Sequence, residues 1–528
     1  MQKRLFAVIF VAVVLCGGSS LLYAQKYGGI LRAIQRENPP SLSIHEEATV
    51  SATWPVSPVY NNLVFFNPAH AVESTDDLVP ELAEKWAWSD GNKKLTFTLR
   101  KGVTWHDGKP FTAADVKYTY DLVRGVLTDK KLRINPRKQW YENVAEIVTS
   151  GDYQVTFMLK RPQPSLLGML ASGYSPVYPA HIDPAELRQR AVGTGPFMLK
   201  DYVQEQRIDL VKNPNYFIHG RPYLDGITYV VIKDRTARAT AMGTGQVDVF
   251  FPQEGTTGIV EQVKSQAPQV VVKTVAQSAT FNVVINTKKP PYDNIKVRQA
   301  INFALDRNAF LKTQQGNAIA GGIPIPPPYG KWGLTEPELA KLPGWGDPAK
   351  DKAQARKLLA EAGYGPGNPL KVHVLTRSAP LYSDMAAWMV GQLNEVGIEG
   401  TIEVIETGLW FPRLTRRDYA LGANMMASGL DDPDAWYFEN FSCGSPRNYT
   451  DYCSKQAQDL MEKTSAEGNP AKRLELSKEV DRLLQVDVAR SMLGHAIDHV
   501  MYWPYVKGYV PHNNIYNYGR MQDVWLDK

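Results

Sequence analysis

Strand-type and helix-type patterns alternate irregularly along the whole chain, with no internal repeat and no heptads. That order leaves no room for a repeat array or a coiled coil and implies an α/β or α+β protein built from large lobes. Leu95-Thr96-Phe97-Thr98-Leu99 alternates at period two and reads as a strand, as does 155–159. The apolar run 228–232 suits a buried strand. Thr112 followed three residues later by Asp115 reads as a capped helix start, with Val116, Tyr120 and Val123 at helical spacing. The spacing of Val297, Ile301, Ala304 and Leu305 predicts a helix over 297–311. Two further helices are expected over 350–362, ended by Gly363, and over 471–484. The Pro-rich stretch 324–328 is the clearest loop.

A chain of 528 residues carries a prior of three to four domains. Its 44% hydrophobic and 21% charged residues exclude a disordered chain. Lys plus Arg number 59 against 54 Asp plus Glu, with no charged tail, so nucleic acid is not an expected partner. The 26 Tyr, 17 Phe and 12 Trp can line a ligand cleft as well as a core.

The first residues read as an address. Lys3 and Arg4 precede an unbroken apolar run from 5 to 16, and Leu22-Tyr23-Ala24 ends the segment with a small residue. This describes a secretory signal peptide cleaved after Ala24. The competing reading, a lipidated Cys16, is weakened by the bulky Leu15 before it. No later stretch is long and apolar enough to span a bilayer. The remaining cysteines, Cys443 and Cys453, either form a bridge, helped by the turn-forming Gly444, Ser445 and Pro446, or stand as free buried thiols.

Motifs of catalysis are absent from the sequence: no GxxxxGK[ST], no GxSxG, no HExxH, no EF-hand loop and no GxGxxG. Gly193-Thr194-Gly195 and Gly243-Thr244-Gly245 read as turns. His495 and His499 have a helical ligand spacing but lie in a strand-like run, so no metal site is expected there. No enzyme activity and no cofactor are expected.

The stretch 78–120 reads LVPELAEKWAWSDGNKKLTFTLRKGVTWHDGKPFTAADVKYTY. It resembles the signature of family 5 extracellular solute-binding proteins, the peptide and nickel binders of bacterial ABC importers. Leu82, Ala83, Trp86, Leu99, Arg100, Gly102, Val103, Asp107, Gly108, Pro110, Thr112, Ala113, Asp115 and Val116 carry the match. Later segments follow in the family's order: Gly193 to Phe197, Asn213 to Phe217, Pro222 to Asp225, Gly245 to Asp248, Asn294 to Leu305, Asp432-Pro433-Asp434 and Asn448-Tyr449. Phe441-Ser442-Cys443 with Asn448-Tyr449 and Cys453 is most similar to the dipeptide-binding branch, which carries a disulfide at this place.

The resemblance implies an α/β, two-lobed periplasmic binding protein fold of the type II, large three-domain subclass, with a hinge and an interlobe ligand cleft. It implies a signal peptide at 1–24, lobe I at 25–57, 192–277 and 498–528, an extra domain at 58–191, and lobe II at 278–497. It implies a periplasmic monomer that captures a peptide or peptide-like solute by hinge closure. Delivery would be to membrane permease subunits driven by separate ATPases. An opine, sugar, nickel chelate or haem is the alternative cargo. By the same resemblance Ala48, Thr49, Val50 and Ser51 face the cleft from lobe I, and Arg377 meets a ligand carboxylate. Trp410 stacks on ligand, and Asp431 and Asp432 lie at its amino end. The family's usual amino-anchoring Asp is here Gly429.

Overall fold

The computed structural model describes residues 25–528; the expected signal segment and Cys16 lie outside the described residues. Three larger sheets organise the chain. In the first, Ile30–Gln35, Gly226–Val231, Arg207–Lys212 and Phe197–Val203 lie side by side in that order, and only the first pair is parallel. Gly226–Val231 is paired on both edges, which suits its apolar run, and Ile227 and Tyr229 are fully buried. The second sheet runs Ala318–Ile319, Ser491–Tyr502, Val271–Ile285, Leu421–Ala427, Leu370–Arg377, Ile398–Ile405. The third, Ala83–Ser89, Lys94–Leu99, Gln154–Leu159 and Val144–Thr149, is antiparallel throughout and falls within the segment expected as the extra domain.

The signature stretch builds that insert. Leu95, Phe97 and Leu99 turn inward from Lys94–Leu99, and helix Ala113–Arg124 adds Val116, Tyr120 and Val123 to the same core, packing on Val144–Thr149 and Gln154–Leu159. Tyr120 packs on Phe157 with ring centroids 5.2 Å apart. The helix starts where expected: the Asp115 carboxylate accepts a hydrogen bond from Thr112 N at 2.9 Å. The loop before it closes because Gly102 and Gly108 adopt φ of 75° and 85°, a region that side chains disfavour. Asp107 there bonds the His181 ring at 2.7 Å.

One expected helix is broken. Residues 297–311 fall into Ile295–Ala304 and Arg307–Thr313. Leu305 leaves helical geometry at ψ 105°, and the Asp306 carboxylate accepts from Ala309 N at 2.9 Å. An Asp side chain that caps a new helix competes with continuing the old one, and here it wins over the apolar spacing. The other two helices span Pro348–Glu361 and Pro470–Val486; Asp347 and Asn469 cap them slightly upstream of the expected starts, and the second runs two residues past its expected end. Cys443 and Cys453 form a disulfide. His495 and His499 lie on strand Ser491–Tyr502, where His495 bonds Gly322 O at 3.1 Å and His499 bonds Thr274 Oγ1 at 3.0 Å.

The lobe boundaries expected at 277/278 and 497/498 both fall inside continuous strands, Val271–Ile285 and Ser491–Tyr502. These strands pair with each other, and their register slips between Ala276 and Thr280. On one side of that irregularity they run beside the first sheet, where Val249 bridges both Ala33 and Tyr502. On the other they enter the second sheet beside Leu421–Ala427. A bulged pair of strands thus runs from the side of the first sheet into the second, a geometry that permits bending without loss of hydrogen bonds at either end.

Candidate ligand site between the lobes

Lobe I offers the seam a short helix, Val50–Val56, capped by Thr49, whose side chain accepts from Ser51 N. Ala48, Thr49, Val50 and Ser51 are all buried. Just upstream, Glu37 sits between two guanidiniums. Arg36 Nε lies 3.2 Å from Glu37 Oε1 and Arg377 Nη2, from lobe II, lies 3.3 Å from the same atom. Ser51 Oγ donates to Glu37 Oε1 at 2.5 Å and Thr407 Oγ1, again from lobe II, donates to Oε2 at 2.6 Å. Arg377 also donates to Thr407 Oγ1 and Thr49 Oγ1, and its guanidinium stacks 4.2 Å over the Tyr382 ring. Burial alone would raise the Glu37 carboxyl. Arg36 and Arg377, with the Ser51 and Thr407 hydroxyls, overrule it and hold the carboxyl at about 2. Arg36 is held from behind by Glu254, which also pairs with Arg238 at 2.9 Å. Arg377, expected at a ligand carboxylate, is therefore turned onto a protein carboxylate across the seam.

A second cluster lies deeper. Arg137 of the insert donates to Glu47 O beside the same lobe I loop, and its guanidinium lies 3.3 Å from the Tyr174 ring centroid. Arg447 pairs with Glu439, and Tyr449 follows it two residues on. Tyr449 shares an apolar cluster with Ala48, Trp410, Phe411 and Tyr419. Arg490, 3% exposed, stacks 5.6 Å from the Phe441 ring centroid and makes no hydrogen bond or ion pair among the described residues. Its pKa falls to about 10, first through burial, with Arg447 as the like charge beside it.

Trp410, expected to stack on ligand, is fully buried within that apolar cluster, where helix Thr407–Thr415 places it against the sheet. Asp432, expected at the ligand, holds Arg473 with two hydrogen bonds of 2.7 Å and caps helix Pro433–Phe441. Asp431 and Asp432 both line an open groove of about 440 Å³ between insert and lobe II. Gly429 stands where a side chain has no room: a Cβ would lie 2.5 Å from Trp140 Cη2 and 2.7 Å from Ser172 Oγ.

Asp431 also meets the insert. Its backbone N–H donates to Glu73, whose other oxygen accepts from Asn517 Nδ2 at 2.8 Å. Burial pushes Glu73 up to about 8, with Asp431 adding to it, and pushes Asp431 to about 7, against Lys331 N and with Asp432 adding. A carboxyl whose pKa rises on association stabilises the associated form fully below its ordinary value and loses that contribution as pH climbs through the raised one. Contact between insert and lobe II is therefore expected to weaken from pH 4.5 to about 8. Small-angle scattering should show the closed-to-open ratio falling at least about tenfold across that window, and Glu73→Gln should flatten the profile. A flat wild-type profile would count against the contact as a closure element.

Sequence reasoning missed Glu37, Arg137, Arg447 and Arg490. Only Arg447 had a local signal, standing directly before Asn448-Tyr449.

Two lobes joined by crossing strands, a third domain inserted, and a seam shut by charged groups from both lobes define a hinged, solute-binding type of protein. The family model for bacterial extracellular solute-binding proteins, family 5 (middle), matches residues 77–448, and the chain belongs to that family. It is 26% identical to the dipeptide-binding protein of Escherichia coli (strain K12) over 481 residues, 86% of each chain. It is 27% identical to heme-binding protein A of Haemophilus influenzae, over 86% of this chain and 84% of that one. Among solved structures, the periplasmic binding protein DppA of Helicobacter pylori, in complex with peptide STSA, superposes with TM-score 0.82 at 23% identity, covering 95% of this chain and 99% of that one. AgaA, in complex with agropinic acid, from A. tumefaciens R10 also gives TM-score 0.82, at 21% identity and the same coverage. No helix among the described residues is long and apolar enough to cross a membrane.

Proposed function

We propose that this chain is the exported, periplasmic binding component of an ABC importer, which captures a peptide or peptide-like solute between its lobes and hands it to a membrane permease with separate ATPase subunits. It works as a monomer and performs no chemistry on its cargo. The observation that carries the reading is the Glu37–Arg377–Thr407 contact, because it joins residues of opposite lobes and exists only when they close. The dipeptide-binding and peptide-bound relatives support a peptide cargo. Ala48, Thr49, Val50 and Ser51 border the site from lobe I, Arg377 from lobe II, and Asp431 stands at its outer groove. Trp410 supports the wall from behind and Asp432 sets the helix beside it.

A non-peptide cargo is the second reading. It is favoured by the packing at Gly429, which leaves no place for the family's amino-anchoring carboxylate. Native mass spectrometry of the mature protein, as purified and after unfolding and refolding to strip cargo, separates the two. The expected result is a short-peptide mass lost on refolding. A non-peptide mass would overturn the peptide cargo and leave the importer role.

A further inference from the structure

Three arginines from two domains converge behind the lobe I loop, and their charge is not matched by the protein. Arg137 comes from the insert; Arg447 and Arg490 come from lobe II. All are buried, at 1%, 4% and 3% exposure. One carboxylate, Glu439, is paired with them: its Oε1 accepts from Arg447 and its Oε2 has no hydrogen-bond partner among the described residues, so a single acid stands against three guanidiniums. Glu47, whose backbone oxygen accepts from Arg137, has its carboxylate engaged by Ser41 at 2.8 Å and by Arg133 at 3.0 Å. Several donors are left over. Arg137 Nε and Nη2, Arg447 Nε, and Arg490 Nε and Nη2 have no hydrogen-bond partner among the described residues, although they are buried.

A guanidinium stays charged at neutral pH even when burial lowers its pKa, so it needs a counter-charge or it costs stability heavily. Tyr449 ties the three together: Arg447, Arg137 and Arg490 all pull its hydroxyl down against burial, so all lie within electrostatic reach of one ring. That ring touches the Ala48 cluster, which places the unmatched charge at the seam itself.

We propose that Arg137, Arg447 and Arg490 form an anion subsite that takes a carboxylate-bearing end of the solute. The inference rests on the solute-binding reading above and narrows it. The planar forks suit a carboxylate bidentately. Because Gly429 gives the amino end no acidic anchor and Arg377 is occupied by Glu37, recognition is dominated by the acidic end of the cargo. That end is the C-terminus of a peptide or a carboxylate of a non-peptide acid.

The test is a titration of stripped mature protein, at constant ionic strength, with tri-alanine, tri-alanine amide, succinate and citrate, followed by tryptophan fluorescence. At least one carboxylate probe is expected to bind, and tri-alanine is expected to bind at least about tenfold more tightly than its amide if peptides bind at all. Arg490→Gln should erase that preference and should leave the stripped protein as heat-stable as before or more so, whereas a purely structural arginine would lower its melting temperature. Arg137→Gln supplies the same test from the insert.

Equal binding of acid and amide, unchanged carboxylate affinity in both variants, or no response to any carboxylate probe would overturn the subsite. Equal acid and amide binding would leave the peptide reading intact. Binding of citrate or succinate without tri-alanine would uphold the subsite and overturn the peptide cargo.

Discussion

Glu37→Gln should weaken solute binding by about a hundredfold while leaving each lobe folded. The substitution keeps the shape of the side chain but removes the charge between Arg36 and Arg377. Breaking a buried ion pair costs about 3–5 kcal/mol, because the partner is left buried and uncompensated. In this protein the cost falls on one state only. On the proposed lobe boundaries Arg377 and Thr407 belong to lobe II and meet Glu37 when the lobes are shut, and in an open form water is expected to take the place of Glu37. The loss therefore appears as a shift toward the open form, and apparent affinity falls with the closed fraction. Calorimetric titration measures the affinity, and small-angle scattering of the saturated protein measures closure. Glu254→Gln is the control, since Glu254 holds Arg36 and Arg238 within lobe I. It should lower thermal stability and leave the open-to-closed balance unchanged. Wild-type affinity and scattering in Glu37→Gln would refute the latch.

Removal of the disulfide should cost about 3 kcal/mol, the loop-entropy value for a loop of this size. Cys443 and Cys453 are ten residues apart. The folded loop is already held by hydrogen bonds: Asn448 Nδ2 donates to Ser442 O at 3.0 Å and to Tyr452 O at 2.6 Å, and Arg417 Nη2 donates to Asn448 O at 3.0 Å. The bridge therefore acts mainly by restricting the unfolded chain, with little change in native geometry. The double variant Cys443→Ser/Cys453→Ser should unfold at lower urea, and hydrogen exchange should rise first between 443 and 453. Because that loop carries Arg447 and Tyr449, affinity should fall with it. An unchanged midpoint together with unchanged exchange would show that the bridge contributes nothing.

The fold was legible wherever it depends on neighbours in sequence. The inward alternation of Leu95, Phe97 and Leu99 and the Thr112–Asp115 cap appear in the structure as read. The broken helix at Leu305 and Asp306 marks the limit of that method. Apolar spacing continued through the site, but an Asp able to cap the next helix competed with it, and periodicity carries no weight for such a contest.

Local order, the cysteine pair and the family signature were determined by the sequence alone, because each is a pattern within a few turns or a short loop. The site was decided only by tertiary structure. Glu37 and Arg377 are 340 residues apart, and Arg137 and Arg447, far apart in sequence, both act on the charge of one ring, Tyr449. A buried, unmatched arginine has the same local sequence pattern as a solvated one, and Asp432 reads the same whether it faces a ligand or Arg473. What separates them is desolvation and the placement of opposite charge, and both are set by how rigid lobes meet rather than by the residues next in the chain.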